Sequence, residues 1–422
     1  MSFIMRRRLH FAAASAAAIL GALASGRGAT ADPAPPFRDL LAQAQSTAPR
    51  LAEARAEIAR AEGLARQARA FPNPTVGVEV ENFSGSGPFK GMNLAETTAS
   101  IAQPVELGGK RSARVAVGRA EVQAARARAA RIQGEFGFDL AAAYAEAEAS
   151  DRRLQLTTET AGFAQEDARI ATALVDAGRE AGLRRVQALA ALQAARAAVE
   201  EARAARATAF SNLTALVGAP APITSIPVGL LARADQAFPM AAPNPMASPA
   251  YLAAEAEREA AARKVRVERI RAVPDVTVSA GVRRFRGDDA TAFIAGASIP
   301  FPIFDRNRGN IGAAQAELAA AEARLNAARL DAEAAARSGT ARLSAAESRL
   351  MAAREGERTA QEAYRLTRLA YEGGKLELVE LLNAQRSLAE ARAQTINAAV
   401  ERLSAQAGLA RLAGSPPFGE QP

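Results

Sequence analysis

The 422-residue chain contains no cysteine, no tryptophan and a single histidine. Without cysteine there are no disulfides and no thiolate chemistry, although this does not indicate a redox compartment, because many exported proteins manage without disulfides. The histidine, His10, lies in a segment with the marks of a leader. Arg6, Arg7 and Arg8 precede an apolar run from Phe11 to Ala24, and Ala29-Thr30-Ala31 forms an A-x-A cleavage site ahead of Asp32. Residues 1–31 are therefore expected to be a signal peptide. An apolar run of about 14 residues is too short to span a bilayer as a helix. No cysteine stands at the cleavage site, which excludes a lipid anchor there.

Once the leader is removed, neither His nor Cys is left. The common soft-metal ligands, the usual general base and the thiol nucleophile go with them. No metal site and no cofactor are expected. No nucleophile–base pair stands out, and "ELGGKR" lacks the G-x-x-x-x-G-K-[ST] spacing of a phosphate loop, so the chain does not read as an enzyme. A large charge excess is also missing. The formal net charge is +8, and the leader takes four arginines and no acid, leaving 49 basic and 45 acidic residues, a net of +4. Arg and Glu are interleaved, as on solvated helix faces. Nucleic-acid binding would need clustered basic residues with stacking aromatics, and neither is present. Outside the leader no run of 18 apolar residues occurs, which excludes an ordinary helical membrane span.

Proline is missing from two long stretches, between Pro104 and Pro220 and between Pro302 and Pro416. Both are rich in Ala, Arg, Glu, Leu and Gln, which favour helix. Each is broken once near its middle by glycine, at Gly178 in "VDAGREAG" and at Gly373 and Gly374 in "YEGGKLE". Glycine there is a helix stop and turn signal, so each stretch reads as a helical hairpin. The first long helix is expected from about Lys110 to Leu174, on the order of 95 Å at 1.5 Å per residue. Its sparse large residues, Val115, Val122, Ile132, Phe136, Leu140 and Tyr144, follow several steps of 4 or 7, as in a coiled-coil-like seam.

The chain is a duplication. Pro104 matches Pro300, Glu121 matches Glu317, Gly178 matches Gly374 and Ala188 matches Ala384, all 196 residues apart. "FPNPTVGVEVENFSGSG" from Phe71 aligns with "VPDVTVSAGVRRFRG" from Val273 at a spacing of 202. The six extra residues of the first copy lie in "NFSGSGPFKGMNLA", against "RGDD" in the second. The expected organisation is a first strand-pair and helical-hairpin repeat at 32–217, a Pro-rich linker or belt at 218–250, a second repeat at 251–413 and a tail at 414–422. Within the linker, Ser248 followed by Pro249 suits an N-cap and a first helical position.

The strands alternate. Val76, Val78 and Val80 oppose Thr75, Gly77, Glu79 and Glu81, and Val276, Val278, Ala280 and Val282 oppose Thr277, Ser279, Gly281 and Arg283. Partner strands are expected at Thr97–Val105 and Thr291–Ile299, which alternate less cleanly. About ten residues of this pattern is the length of a membrane β-strand. The same pattern also fits a soluble sheet covered by helices. Four strands cannot close a barrel, and lipid does not tolerate open edges. Spanning a membrane therefore requires several chains to share one barrel, and three chains would supply twelve strands.

"FPNPTVGVEVENFSGSG", "QPVELGGKRSARV", "IPFPIFDRNRGNI" and "YEGGKLELVELLNAQRSLAEAR" resemble the TolC-like outer-membrane efflux factors, and more closely their heavy-metal (CzcC-like) branch. The resemblance covers essentially the whole chain after the leader. It implies a mainly α fold with a membrane β-barrel. Long helical hairpins would form a periplasmic α-barrel, and four strands per chain would join a twelve-stranded barrel in a homotrimer. It implies an exit duct in the outer membrane, in contact with its lipid. The duct would work with a periplasmic adaptor protein and an inner-membrane, proton-driven transporter, passing heavy-metal cations or organic compounds. Many relatives carry a lipidated N-terminal cysteine and this chain does not. A periplasmic adaptor is the main alternative, but adaptors usually have one hairpin between β-rich modules, not two equal hairpins.

The hairpin turns lie farthest from the strands in the chain order. Asp176, Gly178 and Arg179 at the first turn, and Glu372, Gly374 and Lys375 at the second, are expected to form tips that meet the adaptor. By resemblance, Glu380 and Asn383 match two positions that line the family's constriction. The family usually has acids at both, and Asn383 departs from that. The first tip is net basic and the second net acidic, which suggests a latch between neighbouring copies, Arg184 or Arg185 against Glu377 or Glu380.

Overall fold

The computed structural model describes residues 32–236 and 243–418. The expected leader, part of the linker and the last four residues of the tail lie outside them. In chain order the elements are β1 (Asp32–Pro33), α1 (Phe37–Thr47), α2 (Pro49–Gln67), β2 (Thr75–Glu81), β3 (Glu96–Val105), α3 (Lys110–Asp176), α4 (Gly182–Val217), β4 (Ile223–Ser225), α5 (Pro249–Arg271), β5 (Val276–Phe285), β6 (Ala290–Ser298), α6 (Arg308–Glu372) and α7 (Leu378–Ala413).

The two copies match element for element. α3 and α6 have 67 and 65 residues, and α4 and α7 have 36 each. Both return helices stop at a matched glycine, Gly218 and Gly414, each with φ 68°. Ser248 caps α5 as its type suggests, its Oγ accepting from Tyr251 N at 3.3 Å with Pro249 in the first turn.

Chain contacts divide the described residues into two compact units that cut across the repeat: 32–49, 140–236 and 346–404 in one, and 50–139, 243–345 and 405–418 in the other. The second unit contains an antiparallel four-stranded sheet in the order β2-β3-β5-β6. Thr75 faces Ala102 and Glu81 faces Glu96 in the first hairpin, while Thr277 faces Ser298 and Arg283 faces Ala292 in the second. Moving 202 residues along the first strand and 196 along the second carries one hairpin onto the other without a slip. The second hairpin adds two more rungs, to Phe285 opposite Ala290. The first leaves the sheet after Glu81 and spends residues 82–95 on its longer loop.

In the first unit the fully buried large side chains include Leu40, Leu140, Tyr144, Leu213, Val217 and Leu403. Tyr144 meets Phe37 edge-on with ring centroids 5.7 Å apart. Its hydroxyl donates to the carbonyl of Val228 at 2.8 Å, with the carbonyl of Pro35 at 3.2 Å. Burial, reinforced by the negative charge of Glu148, pushes the Tyr144 hydroxyl up to about 12. Glu148 stands one helical turn further on, the spacing that shares a face. It accepts from Leu231 N at 2.9 Å and pairs with Arg152 at 2.8 Å. α3 thus pins the segment after β4, while β4 itself pairs in parallel with β1.

Gly229 completes this anchor. A Cβ there would sit 2.0 Å from Glu148 Oε1, whereas one at Gly162, also on α3, would meet nothing within 4 Å. Gly229→Ala is expected to destabilise the protein by about 1–3 kcal/mol, the usual cost of forcing extra volume into a packed site. Gly162→Ala is expected to stabilise it by about 0.5–1 kcal/mol, the helix-interior penalty of glycine. Chemical denaturation of the two variants side by side checks the opposite signs.

Candidate functional site

Two features are candidates: the sheet in one unit and the hairpin turns in the other. The ladder sorts the sheet's side chains into two faces. Ala99 pairs with Val78 and Val282, Ile101 with Val76 and Ala280, and Phe293 with Val282, so the apolar members share one face. They are open in the single chain, with Val76 78% and Phe293 90% exposed. The opposite face carries Thr75, Gly77, Glu79, Glu81, Glu96, Thr98, Ser100, Ser279, Gly281 and Arg283. A sheet apolar on one side and polar on the other, with no helix among the described residues over the apolar side chains, has the pattern of a lipid-facing barrel wall.

Arg283 organises the polar face. Its guanidinium reaches Thr98 Oγ1 at 2.9 Å, Glu96 at 3.0 Å and Glu81 at 3.0 Å, tying three strands together. Glu81 Oε2 is covered and held by charge alone, without an aligned hydrogen bond. The alternation of β5 already set Arg283 on the polar side, but its bridging role depends on cross-strand register and was not visible in the sequence.

The two turns have the same backbone. Arg179 N donates to Leu174 O at 2.9 Å and Gly178 N to Val175 O at 3.0 Å. Lys375 N donates to Ala370 O at 2.8 Å and Gly374 N to Tyr371 O at 2.9 Å. Gly178 and Gly374 both have φ 69°. This is the Schellman ending, which needs a left-handed residue and so selects glycine. Ala168 and Ala171 pack on Ala188 and Leu192 behind the first turn.

The side chains differ. Arg184 is largely buried and donates to the buried carboxylate of Asp167 at 2.8 Å, while Arg185 pairs with the exposed Asp176 at 3.0 Å. At the second turn Glu372 takes Arg368 at 2.9 Å. Among the described residues Glu377 and Glu380 form no ion pair within the chain, and both are exposed, as are Asn383 and Lys375. One chain alone therefore brings Arg184 and Arg185 to acids of their own hairpin and not to Glu377 or Glu380. Asp167 was not predicted, since no spacing rule links it to Arg184 across a turn. Leu183, at the end of the expected tip stretch 176–183, and Val186, which lies beyond it and was missed, stand exposed beside the first turn. Their i, i+3 spacing could have marked them as an apolar face.

Removing a partner from a buried pair costs more than removing one from an exposed pair. Asp167→Ala is expected to cost about 1–3 kcal/mol, because Arg184 loses its charged acceptor while still largely buried. Asp176→Ala is expected to cost under about 1 kcal/mol. Amide hydrogen exchange around Gly178 checks this: it should accelerate clearly in the first variant and little in the second.

Two stretches, residues 40–219 and 247–415, match the outer membrane efflux protein family. The nickel and cobalt resistance protein CnrC of Cupriavidus metallidurans is 43% identical over 287 residues, which is 68% of each chain. The nickel-cobalt-cadmium resistance protein NccC of Alcaligenes xylosoxydans xylosoxydans is 41% identical over 286 residues, covering 68% of this chain and 65% of that protein. The matched stretches thus span about two thirds of these relatives. A membrane protein from Pseudomonas aeruginosa has a similar fold, with TM-score 0.74 and 20% identity over 90% of both chains. So does the outer membrane protein VceC of Vibrio cholerae, with TM-score 0.71 and 22% identity over 90% of this chain and 96% of that one. With its duplicated strand and hairpin units, two-faced sheet and matched turns, the chain belongs to the outer membrane efflux protein family.

Proposed function

We propose that the chain is the outer-membrane exit duct of a tripartite efflux pump, built as a homotrimer and passing heavy-metal cations outward. The observation that carries this is the sheet, with one apolar face, one polar face and two open edges. A single copy cannot place such a sheet in lipid, whereas three copies closing twelve strands can. The names of CnrC and NccC support nickel, cobalt or a similar divalent cation as cargo. An adaptor would engage the turns around Asp176, Gly178, Arg179, Glu372, Gly374 and Lys375, with Leu183 and Val186 offering it apolar surface. An inner-membrane, proton-driven transporter would supply the substrate and the energy. The duct itself conducts passively.

Glu380 is the proposed constriction residue, with Asn383 one turn on. Three Glu380 carboxylates around an axis would form a cation-attracting ring, as charged rings do in cation-selective pores. Purified protein in a planar bilayer is expected to conduct with cation preference, and Glu380→Gln to shift the reversal potential in a salt gradient toward zero. A protein that never conducts would refute the duct. An unchanged reversal potential would remove Glu380 from the passage.

A resting latch between copies is the second element. Arg184 is held by a buried partner and would be costly to release, so Arg185, in its exposed pair with Asp176, is the arginine free to exchange toward Glu377 or Glu380 of a neighbour. Exposed ion pairs contribute about 0–1 kcal/mol each, so three copies give a latch weak enough for adaptor binding to open. Arg185→Glu is expected to raise resting conductance, and adding Glu377→Arg with Glu380→Arg to restore closure. If the triple variant stays as open as the single one, there is no such latch.

A further inference from the structure

We propose that a cleft between α2 and α3, in the first repeat only, binds a phosphate-bearing anion. The cleft has a volume of about 350 Å³, and four arginines line it: Arg66 and Arg69 at and just past the end of α2, and Arg119 and Arg126 on α3. Glu62 is the one acid among the lining residues, and it takes Arg126 at 2.8 Å. Among the described residues Arg66, Arg69 and Arg119 form no ion pair, and all three are exposed. Four guanidiniums against one carboxylate leave the cleft at a formal charge of +3. Its floor is apolar and fixed. Val122 is buried with Ala61 and Ala125, and Ile58 and Ala65 pack against them. A Cβ on Gly118 would lie 3.0 Å from Ala65 Cα, so the two backbones run close together here. The arginines stand on a rigid frame, and only their own side chains need ordering on binding.

The duplication supplies an internal comparison. Arg69, Ala70 and Pro72 correspond to Arg271, Ala272 and Pro274 at the 202 spacing, and α3 corresponds to α6 at 196. Under these shifts Glu62, Arg66 and Arg69 fall on Lys264, Glu268 and Arg271, while Arg119 and Arg126 fall on Gln315 and Glu322. The second repeat thus has two cations and two carboxylates at the five positions, a net charge of zero. Glu268 takes Arg271 at 2.7 Å, and Lys264 takes Glu317 at 2.7 Å. The same helix pair therefore forms without the basic set, and the fold does not explain it. A cation in a last turn suits the helix dipole, but that accounts for Arg66 alone. Guanidinium forks match phosphate oxygens bidentately, and a phosphate can engage several forks at once. The position of the cleft favours a lipid headgroup as the source. Arg111 Nε donates to Arg69 O at 2.7 Å, which sets this end of the cleft at the first turn of α3, a few residues from the sheet. The Arg111 guanidinium also lies 4.2 Å over the ring of Phe71, which is 70% exposed. Basic groups and an open aromatic ring at the foot of an apolar sheet face suit the headgroup layer of a membrane.

The test uses the full-length protein, delipidated in a non-ionic detergent. Native mass spectrometry counts bound phosphatidylglycerol, and titration calorimetry measures inorganic pyrophosphate. The parent is expected to hold phosphatidylglycerol, less tightly as salt rises. Arg119→Gln gives this position the residue type of the second repeat and is expected to weaken binding about tenfold, as loss of a charge-assisted hydrogen bond does. Arg66→Gln with Arg119→Gln is expected to abolish it. Arg203→Gln with Arg358→Gln removes the same charge from exposed pairs elsewhere and is expected to bind like the parent. Phosphatidylglycerol held without pyrophosphate makes the ligand a lipid headgroup. Pyrophosphate bound without phosphatidylglycerol, and lost in the cleft variants, makes it a soluble phosphate at the same site. Should the double variant fail to fold, Arg119→Gln alone carries the comparison. A parent that binds neither probe, cleft variants that bind like the parent, or a control that loses as much as the cleft double variant would each overturn the site.

Discussion

Hydrocarbon offers no partner to a peptide N–H or C=O, and each unpaired group there costs several kcal/mol. A four-stranded sheet has two edges, and here they are β2 and β6. The side chains beside those edges, Val76 and Phe293 among them, are apolar and uncovered in the single chain. The backbone edge is thus in the same surroundings as the apolar face. Closure with other copies, as proposed above, satisfies both.

The helical part obeys a different constraint. A 67-residue helix gains little from propensity alone, and its stability comes from the surface it packs against. α3 buries few large side chains and many alanines, among them Ala124, Ala125, Ala141, Ala145 and Ala171. Small side chains let helices approach closely, and dispersion between close backbones replaces bulky packing. Large residues are kept for sites where irregular chain must be held. Tyr144 and Glu148 are the clearest case, fixing the segment after β4 by a hydroxyl and a carboxylate one turn apart.

Whatever depends on local rules could be read from the sequence. Period-two alternation located the strands to within a residue or two. Gly178 and Gly374 located the turns because a left-handed ending excludes most other residues. Ser248 and Pro249 located the start of α5. The matched spacings announced a duplication that the ladder then repeats rung for rung. Features that depend on distant partners were not legible. Nothing near Gly229 indicates that Glu148 fills the space where its side chain would be. Nothing near Arg184 points to Asp167, and the bridging of Glu81, Glu96 and Thr98 by Arg283 needs the register first. The two compact units likewise follow contacts, so they cut across a repeat that follows descent.

The duplication also shows where the copies have parted. Backbone features recur at matched positions, including Gly178 with Gly374 and Gly218 with Gly414, each pair agreeing in φ within a degree. Side chains at the turns do not. The counterpart of Arg184 is Glu380, and that of its buried partner Asp167 is Ala363. The first hairpin holds that charge in an internal pair with 2.8 Å separation. The second has alanine at the partner's position, carries the opposite sign and leaves the carboxylate exposed. If both positions served only to stiffen a turn, the two ends of the pair would be expected to change together toward another internal contact. Instead the second copy has an alanine at the partner's position and an acid that forms no ion pair among the described residues. A charge without an internal role, at a position the first copy uses for stability, is available to a neighbouring copy, an adaptor or a passing cation. This agrees with placing Glu380, and not its basic counterpart, at the proposed constriction, a reading that comes from the family resemblance.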